Sequence, residues 1–252
     1  NKLMSIQPKY IAPKFKKKTN PKVGLLALST DLTIESDFQS ICEKLPFDLF
    51  VNRIHNENPL TKENLLKMHD QIESVTEKIL PGQKINTIAY ACTSGTIAIG
   101  EDKVKEKVQL AKPDCYVTTP VTSAIKAFKE MNLKKISLFT PYPESVNKTI
   151  LEYFKSKNIN IVSFSTFNID LDEDIASVDP KYLLETLINL DVNDADALFV
   201  SCTALPVLKI LDQVEKKIKK VVLSSNQTLI WDTLRSIGYK SSVEGYGKLL
   251  RN

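Results

Sequence analysis

Two cysteines occupy matching positions in this sequence, each preceded by an apolar run and followed by a threonine. Cys92 follows residues 85–91, and Cys202 follows the shorter run 197–200. Such runs predict buried strands, and a thiol at a strand end, beside the amides that begin a helix, should have a lowered pKa that favours the thiolate. Two such thiols on opposite faces of a planar carbon can move a proton, one as base and the other as acid. We therefore predict that Cys92 and Cys202 are catalytic.

Either cysteine taken alone would more simply be a small buried apolar residue, so this interpretation depends on the pair and its neighbours. The hydroxyls and backbone amides of Thr93, Ser94 and Thr203 could hold a carboxylate and stabilise the enediolate that forms when a proton leaves the adjacent carbon. The other two cysteines, Cys42 and Cys115, lack such a setting. They are predicted to be packing residues.

Composition limits the class of protein. The chain has 252 residues, 42% hydrophobic and 25% charged, which is enough for one sizeable core or two small lobes. No apolar run approaches the roughly 20 residues that cross a bilayer, and the basic leader at 1–21 lacks the apolar core of a secretory signal. We expect a cytoplasmic protein that does not bind membranes. The lysines that give the net charge of +4 are not interleaved with aromatic residues, so nucleic-acid binding is not expected.

Metal binding is not expected either. The four cysteines contain no Cys-x-x-Cys pair, and neither His55 nor His69 lies near a cysteine in sequence. The thiols are therefore predicted to be reduced, and the two histidines to be solvated or to cap helices.

Strand and helix patterns alternate along the chain, which is typical of an α/β fold with parallel sheets. Two leading strands, starting at Lys22 and Lys134, are separated by about 110 residues, as are the two Cys-Thr turns. This spacing predicts two similar Rossmann-like lobes related by a pseudo-twofold axis, with the active site in the cleft between them, because ligands bind beyond the carboxyl ends of parallel strands. The predicted divisions are a leader at 1–21, a first lobe at 22–120 closed by the C-terminal segment, a second lobe at 121–230, and a C-terminal helix and tail at 231–252.

Three local predictions concern the segments around the turns. A helix capped by Thr61 should continue to about Leu80, where a Pro-Gly pair ends it. A second helix should follow Gly95 and reach Leu110. Residues 170–174 should form an acidic loop.

With these residues placed, the chain resembles the aspartate/glutamate racemase superfamily, specifically the branch that holds maleate cis-trans isomerase, arylmalonate decarboxylase and the ectoine-utilisation protein EutA. The resemblance covers nearly everything from Lys22 to Leu250. The segments that carry it are 91–95, 118–122, 140–142, 201–203 and 224–227, followed by Trp231.

The resemblance implies roles for individual residues. Cys92 matches the position of the nucleophile or base, where arylmalonate decarboxylase has glycine, and Cys202 matches the second cysteine. Tyr142, Thr93 and Ser94 match residues of the carboxylate pocket. The resemblance also implies a homodimer, no metal and no organic cofactor.

Two aspartates depart from the pattern of maleate isomerases, which carry asparagine after the first strand and again in the acidic segment. Asp31 and Asp172 occupy these positions. An aspartate there would repel a second carboxylate and attract an ammonium or amidinium group. Asp31 is therefore predicted to bind substrate, although it could also cap the next helix, and the two roles are compatible. The segment around Asp31 is similar to EutA.

These observations favour a cofactor-independent racemase or epimerase that acts at the α-carbon of a small amino-acid-like carboxylate, in ectoine degradation if the likeness to EutA holds. A second possibility is maleate cis-trans isomerisation through a covalent succinyl adduct on Cys92. A third, from another class, is a ligand-binding relative that keeps the fold without turnover.

Overall fold

A computed structural model describes residues 6–252. The predicted basic leader therefore lies partly outside the described residues, and its described part, up to residue 20, is exposed and contains no helix or strand. None of the helices formed by residues 6–252 is long and apolar enough to cross a membrane.

The first sheet has four parallel strands in the order β2-β1-β3-β4. Its central strands are buried on both faces apart from the half-buried Lys22 at the start of the first, as expected for a sheet covered by helices on both sides. The strands are β1 (Lys22–Leu28), β2 (Asp48–Ile54), β3 (Thr87–Ala91) and β4 (Tyr116–Thr118).

The second sheet repeats this topology with the order β6-β5-β7-β8, again all parallel. The predicted α/β fold with two parallel sheets is thus confirmed, and each sheet has four strands. Cys92 follows the third strand of the first sheet, and Cys202 lies two residues after the third strand of the second. The strands are β5 (Lys135–Thr140), β6 (Asn160–Thr166), β7 (Ala197–Val200) and β8 (Val221–Ser224).

Twelve α-helices connect and cover the strands within the described residues. They are α1 (Ile34–Cys42), α2 (Lys62–Leu66), α3 (Ile72–Glu77), α4 (Thr93–Ile99), α5 (Glu101–Ala111), α6 (Pro120–Glu130), α7 (Glu144–Ser156), α8 (Asp172–Ala176), α9 (Pro180–Ile188), α10 (Leu208–Ile218), α11 (Ser225–Ser236) and α12 (Lys248–Arg251).

The helices on either side of Cys92 correct two predictions. The single helix expected from Thr61 to Leu80 is divided into α2, a 3-10 turn and α3, and Met68, in the linker, is fully buried beside Tyr90. The helix expected after Gly95 is divided into α4 and α5 at Gly100, whose φ of 101° is incompatible with a helix. Tertiary packing and one backbone conformation override the helical pattern at these points.

The acidic loop expected at 170–174 is also wrong in part, because Asp172 begins the short helix α8. Its acidic first turn complements the positive end of the helix dipole. The acidic run therefore contributes to a helix terminus rather than to a solvated loop.

Helix α11 links the two sheets. It begins directly after β8 of the second sheet, yet its later turns contact the first: Thr233 Oγ1 lies 2.9 Å from Thr118 Oγ1, and Ser236 Oγ lies 2.7 Å from Thr87 Oγ1. The predicted boundary at residue 230 falls inside this helix, and the division into lobes stays a prediction. The first residue of α11, Ser225, contacts both Cys-Thr turns.

Candidate active site

Cys92 is fixed by the turn that starts α4. Its backbone is extended, with φ −147°, and its Sγ accepts a hydrogen bond from the Gly95 amide at 3.2 Å. A Cβ on Gly95 would lie 2.7 Å from that sulfur and 2.6 Å from Met68 Cε, closer than real Cβ atoms approach. Only glycine allows the amide to come this near, so Gly95 positions the thiol.

Cys202 has an unusual backbone conformation. Its φ is 100°, a region that non-glycine residues rarely adopt and that costs roughly 1–3 kcal/mol. The Ala204 amide and the Tyr142 hydroxyl both act to lower the pKa of its thiol. Tyr142 is fully buried just after β5, and its hydroxyl also lies 3.3 Å from Ser201 Oγ. Strain at a buried thiol is typical of a functional position.

Ser225, the first residue of α11, ties the two turns together. Its Oγ accepts one hydrogen bond from Thr93 Oγ1 at 2.9 Å and another from the Cys202 amide at 3.0 Å. The sequence analysis did not select Ser225 as a site residue. The available signal was its place in the segment 224–227, which begins with a capping box at Ser224.

Asp31 holds the second turn against the first sheet. Its Oδ1 accepts hydrogen bonds from the amides of Thr33 (2.7 Å) and Ile34 (2.9 Å), which is the helix-start role weighed from the sequence. Its Oδ2 accepts a hydrogen bond from Thr203 Oγ1 at 2.9 Å. The positioning role of Asp31 is therefore visible, and direct binding of substrate by Asp31 stays a prediction.

Asp172 brings a second carboxyl group to the cluster. It is 3% exposed, and its Oδ2 accepts a hydrogen bond from Thr30 Oγ1 at 2.6 Å. Its negative charge raises the pKa of both Cys92 and Cys202. Sequence reasoning noted Asp172 for its departure from the family pattern but did not count it among the site residues.

The seven residues predicted for the site form one buried cluster. Cys202, Tyr142, Thr203 and Asp31 are joined by the contacts above, and Thr93 joins them through Ser225. Ser94 Oγ lies 3.9 Å from Cys92 Sγ. Among residues 6–252, no group of three His, Cys, Asp or Glu side chains is placed to hold a metal ion.

The thiol pKa values differ from the sequence prediction. Burial raises the pKa of Cys92 to about 12, and the Asp172 and Asp31 carboxylates add to the rise. Burial likewise raises the pKa of Cys202 well above its usual range. The hydrogen bond from the Gly95 amide lowers the pKa of Cys92, as predicted, but the loss of hydration on burial raises this pKa by more. The expected lowered pKa is therefore wrong, and both thiols favour the protonated form at neutral pH.

Behind the second turn, Asn226 and Asp37 form a further buried pair. Asn226 Nδ2 donates to Thr203 O at 2.9 Å and to Asp37 Oδ2 at 2.7 Å. Burial raises the pKa of Asp37 to about 7, with the Asp31 charge acting in the same direction and the Asn226 amide opposing it. The carboxyl group of Asp37 therefore titrates near neutral pH.

Asp37→Asn should remove a pH dependence of stability. A folded-state pKa above the unfolded value of 3.8 means that the stabilisation is complete below pH 3.8 and is lost as the pH rises through about 7. Relative to Asp37→Asn, the wild type should lose up to about 4 kcal/mol of unfolding free energy across this window. Urea unfolding of both proteins from acid to mildly alkaline pH measures the difference. The exposed control Asp102→Asn should follow the wild type, and a constant offset between wild type and Asp37→Asn would contradict the assignment.

Comparison with known proteins shows which family this chain belongs to. The maleate isomerase of Geobacillus stearothermophilus is 25% identical over 245 residues, covering 91% of this chain and 96% of that protein. The crystal structure of the maleate isomerase Iso from Pseudomonas putida S16 aligns with a TM-score of 0.84 at 20% identity, covering 92% and 98% of the two chains.

A further structure is a cysteine-to-serine mutant of the Nocardia farcinica maleate cis-trans isomerase with a covalently bound succinylcysteine intermediate. It aligns with a TM-score of 0.84 at 20% identity, over 92% of this chain and 98% of that one. The family described as arylmalonate decarboxylase (Amdase) matches residues 60–250. The resemblance inferred from the sequence is confirmed at this level, while the likeness to EutA stays a prediction. The chain belongs to the arylmalonate decarboxylase family.

Proposed function

We propose that this protein is a cofactor-independent isomerase that moves a proton at one carbon of a small carboxylate, with Cys92 and Cys202 as the two acid-base groups. The observation that carries the proposal is the paired placement of the thiols. Each follows the third strand of its own sheet, the Gly95 amide donates a hydrogen bond to the Cys92 sulfur, and the Cys202 backbone is held in a strained conformation. A packing role would require none of these features.

In the proposed reaction, one cysteine as thiolate takes the proton from the substrate carbon. The electron pair moves into the carboxylate as an enediolate, and the other cysteine, as thiol, delivers its proton to the opposite face. Gly95 N–H supports negative charge on Cys92, and Tyr142 OH supports it on Cys202. The raised pKa values make each thiolate a strong base, which a weakly acidic carbon requires, although little thiolate is present at neutral pH.

A second candidate is cis-trans isomerisation of maleate, supported by the relatives. In this route the Cys92 thiolate adds to the double bond, the new single bond rotates, and the carbon–sulfur bond breaks again to give fumarate. The succinylcysteine intermediate of the Nocardia relative is an adduct of this type. Mass spectrometry of this protein mixed with maleate would reveal the same adduct.

Deuterium incorporation in D2O, followed by NMR, tests the proposal over a panel of ectoine, its ring-opened acetyl-diaminobutyrates, aspartate, glutamate and maleate. We expect exchange at the α-carbon of at least one amino compound, which Cys92→Ser loses for one stereoisomer and the control Cys42→Ser keeps for both. Conversion of maleate to fumarate alone would favour the second candidate. Tight binding without exchange or conversion would favour a ligand-binding relative.

Two further properties belong to the proposal. The four cysteines are free thiols in the structure, and we propose a cytoplasmic location for the protein on that basis. We also propose a homodimer, as the sequence resemblance implies, which light scattering during size-exclusion chromatography would measure.

A further inference from the structure

The segment before the first strand exposes large apolar side chains. Residues 6–17, the arm, contain no helix or strand. The large apolar side chains of the arm are each between 81% and 92% exposed, and they are Ile6, Tyr10, Ile11 and Phe15. Single exposed apolar residues are common on protein surfaces, but four within ten positions form a surface of the kind that binds another molecule.

The arm is basic and its backbone is restricted. Four of its residues are lysines, and the sequence contains no acidic residue before Asp31. Pro8 and Pro13 lie within the arm and Pro21 follows it. Proline interrupts helices and favours an extended backbone, so the arm cannot gather its apolar side chains on one face of a helix, as membrane-binding amphipathic helices do. An extended basic segment with spaced apolar side chains is instead suited to a groove on a protein.

A groove of about 630 Å³ lies between α1 and β2, where the arm joins the first sheet. Lys18, the residue after the arm, is part of its lining. The groove also has apolar and acidic lining residues, which are Phe47, Leu49 and Phe50, and Glu43 and Asp48. Phe15 of the same chain does not fill it, since this side chain is 92% exposed. The groove therefore offers the apolar surface and the negative charge that complement the arm.

The strand that lines this groove has a free edge. In the part of the chain that the structure describes, β2 pairs only with β1, so its outer backbone groups can pair with an added extended segment. The available area also suffices for a dimer. Two arms carry four aromatic rings of on the order of 150 Å² each, and a similar area of the grooves brings the total to about 1,200 Å², the lower end for a stable interface.

We propose that the arm of one copy of this chain binds in the groove of a second copy, beside the outer edge of β2, so that the two copies exchange arms. The exchange is reciprocal because a twofold dimer uses the same surface on both copies. The aromatic side chains of the arm cover the apolar lining, and its lysines approach Glu43 and Asp48. This inference rests on the homodimer proposed above and names the segment and the surface that hold it together.

Replacing two side chains of the arm in the full chain tests the exchange. Tyr10→Ser combined with Phe15→Ser should raise the dimer dissociation constant at least about 100-fold, because each dimer loses four aromatic anchors. Sedimentation equilibrium over a range of protein concentrations measures this constant. The matched control combines Leu110→Ser with Tyr182→Ser, which removes two exposed apolar side chains from α5 and α9, and it should keep the wild-type constant. Equal constants in the arm variant and the wild type, or equal weakening in the control, would overturn the proposal.

Glu43→Lys tests the groove. Glu43 is exposed at the end of α1, and reversing its charge should raise the dissociation constant at least about tenfold at low salt and less at high salt, since salt screens the attraction. An unchanged constant would reject the groove as the binding surface. Binding of the wild type to phosphatidylserine vesicles that is lost in the arm variant, with dimerisation unchanged, would identify a membrane-binding segment instead.

The outcomes separate this inference from the other proposals. A dimer of unchanged affinity in the arm variant would reject the exchange and leave the homodimer in place, whereas a wild-type monomer at every concentration would reject both. The isomerase proposal is measured independently, by deuterium exchange at the substrate carbon.

Discussion

Replacing either Cys92 or Cys202 with serine should lower interconversion of the two substrate stereoisomers by at least about 10³-fold, because a serine hydroxyl is a far weaker acid than a thiol and cannot supply the base. In a two-base mechanism each face of the carbon is served by one sulfur. Loss of either sulfur therefore blocks the full reaction in both directions.

The two variants should differ in what they retain. Each keeps one sulfur, so exchange of solvent deuterium should persist for the stereoisomer whose proton faces that sulfur and disappear for the other. NMR of each pure stereoisomer in D2O measures this directly. The control Cys115→Ser changes a buried thiol outside the cluster and should retain interconversion whenever the variant is folded. Full turnover by Cys92→Ser or Cys202→Ser would exclude the two-base mechanism.

Gly95→Ala should be the most damaging substitution that leaves both thiols in place. The added methyl group would overlap Cys92 Sγ at 2.7 Å and Met68 Cε at 2.6 Å, and overpacking of this kind costs about 1–3 kcal/mol of unfolding free energy. Relief of the overlap must move the sulfur away from the Gly95 amide. Catalysis should therefore fall about 100-fold, on the scale of a misplaced reacting group.

Gly24→Ala separates positioning from stability. Its Cβ would lie 2.4 Å from Ile88 Cδ1, the far end of a side chain in the neighbouring strand. Urea unfolding should show a loss for both glycine variants, whereas exchange rates, compared at a temperature where both remain folded, should fall only for Gly95→Ala. Equal exchange rates in the two variants would show that the Gly95 amide does not position the thiol.

The sequence was sufficient to predict the strands and the positions of the thiols. Buried parallel strands appear in sequence as continuous apolar runs, so the strand before Cys202 could be predicted closely, and the near-equal spacing of Cys92 and Cys202 from their leading strands indicated the repeated topology. Those features depend on local pattern. Both sheets then bring the strand ends, and with them the Cys-Thr turns, into one cluster.

The features that the sequence did not predict depend on contacts between distant segments. The thiol pKa is set by burial and by Asp172, which lies 80 positions from Cys92 in the chain. The bridge through Ser225 exists only because α11 spans both sheets. The division of the helix after Thr61 depends on where Met68 packs. The secondary-structure propensities of individual residues do not encode such contacts between distant segments.

The two sheets match in topology, but the two cysteines do not match in conformation: Cys92 is extended, whereas Cys202 has a φ of 100°. For a racemisation in water, mirror-image molecules have equal free energy, so the overall equilibrium constant is one. Equal values of kcat/KM in the two directions are then required by thermodynamics, however unlike the two halves of the site. The conformational difference between the cysteines can appear only as compensating differences in kcat and KM, with one stereoisomer held more tightly and turned over more slowly than its mirror image.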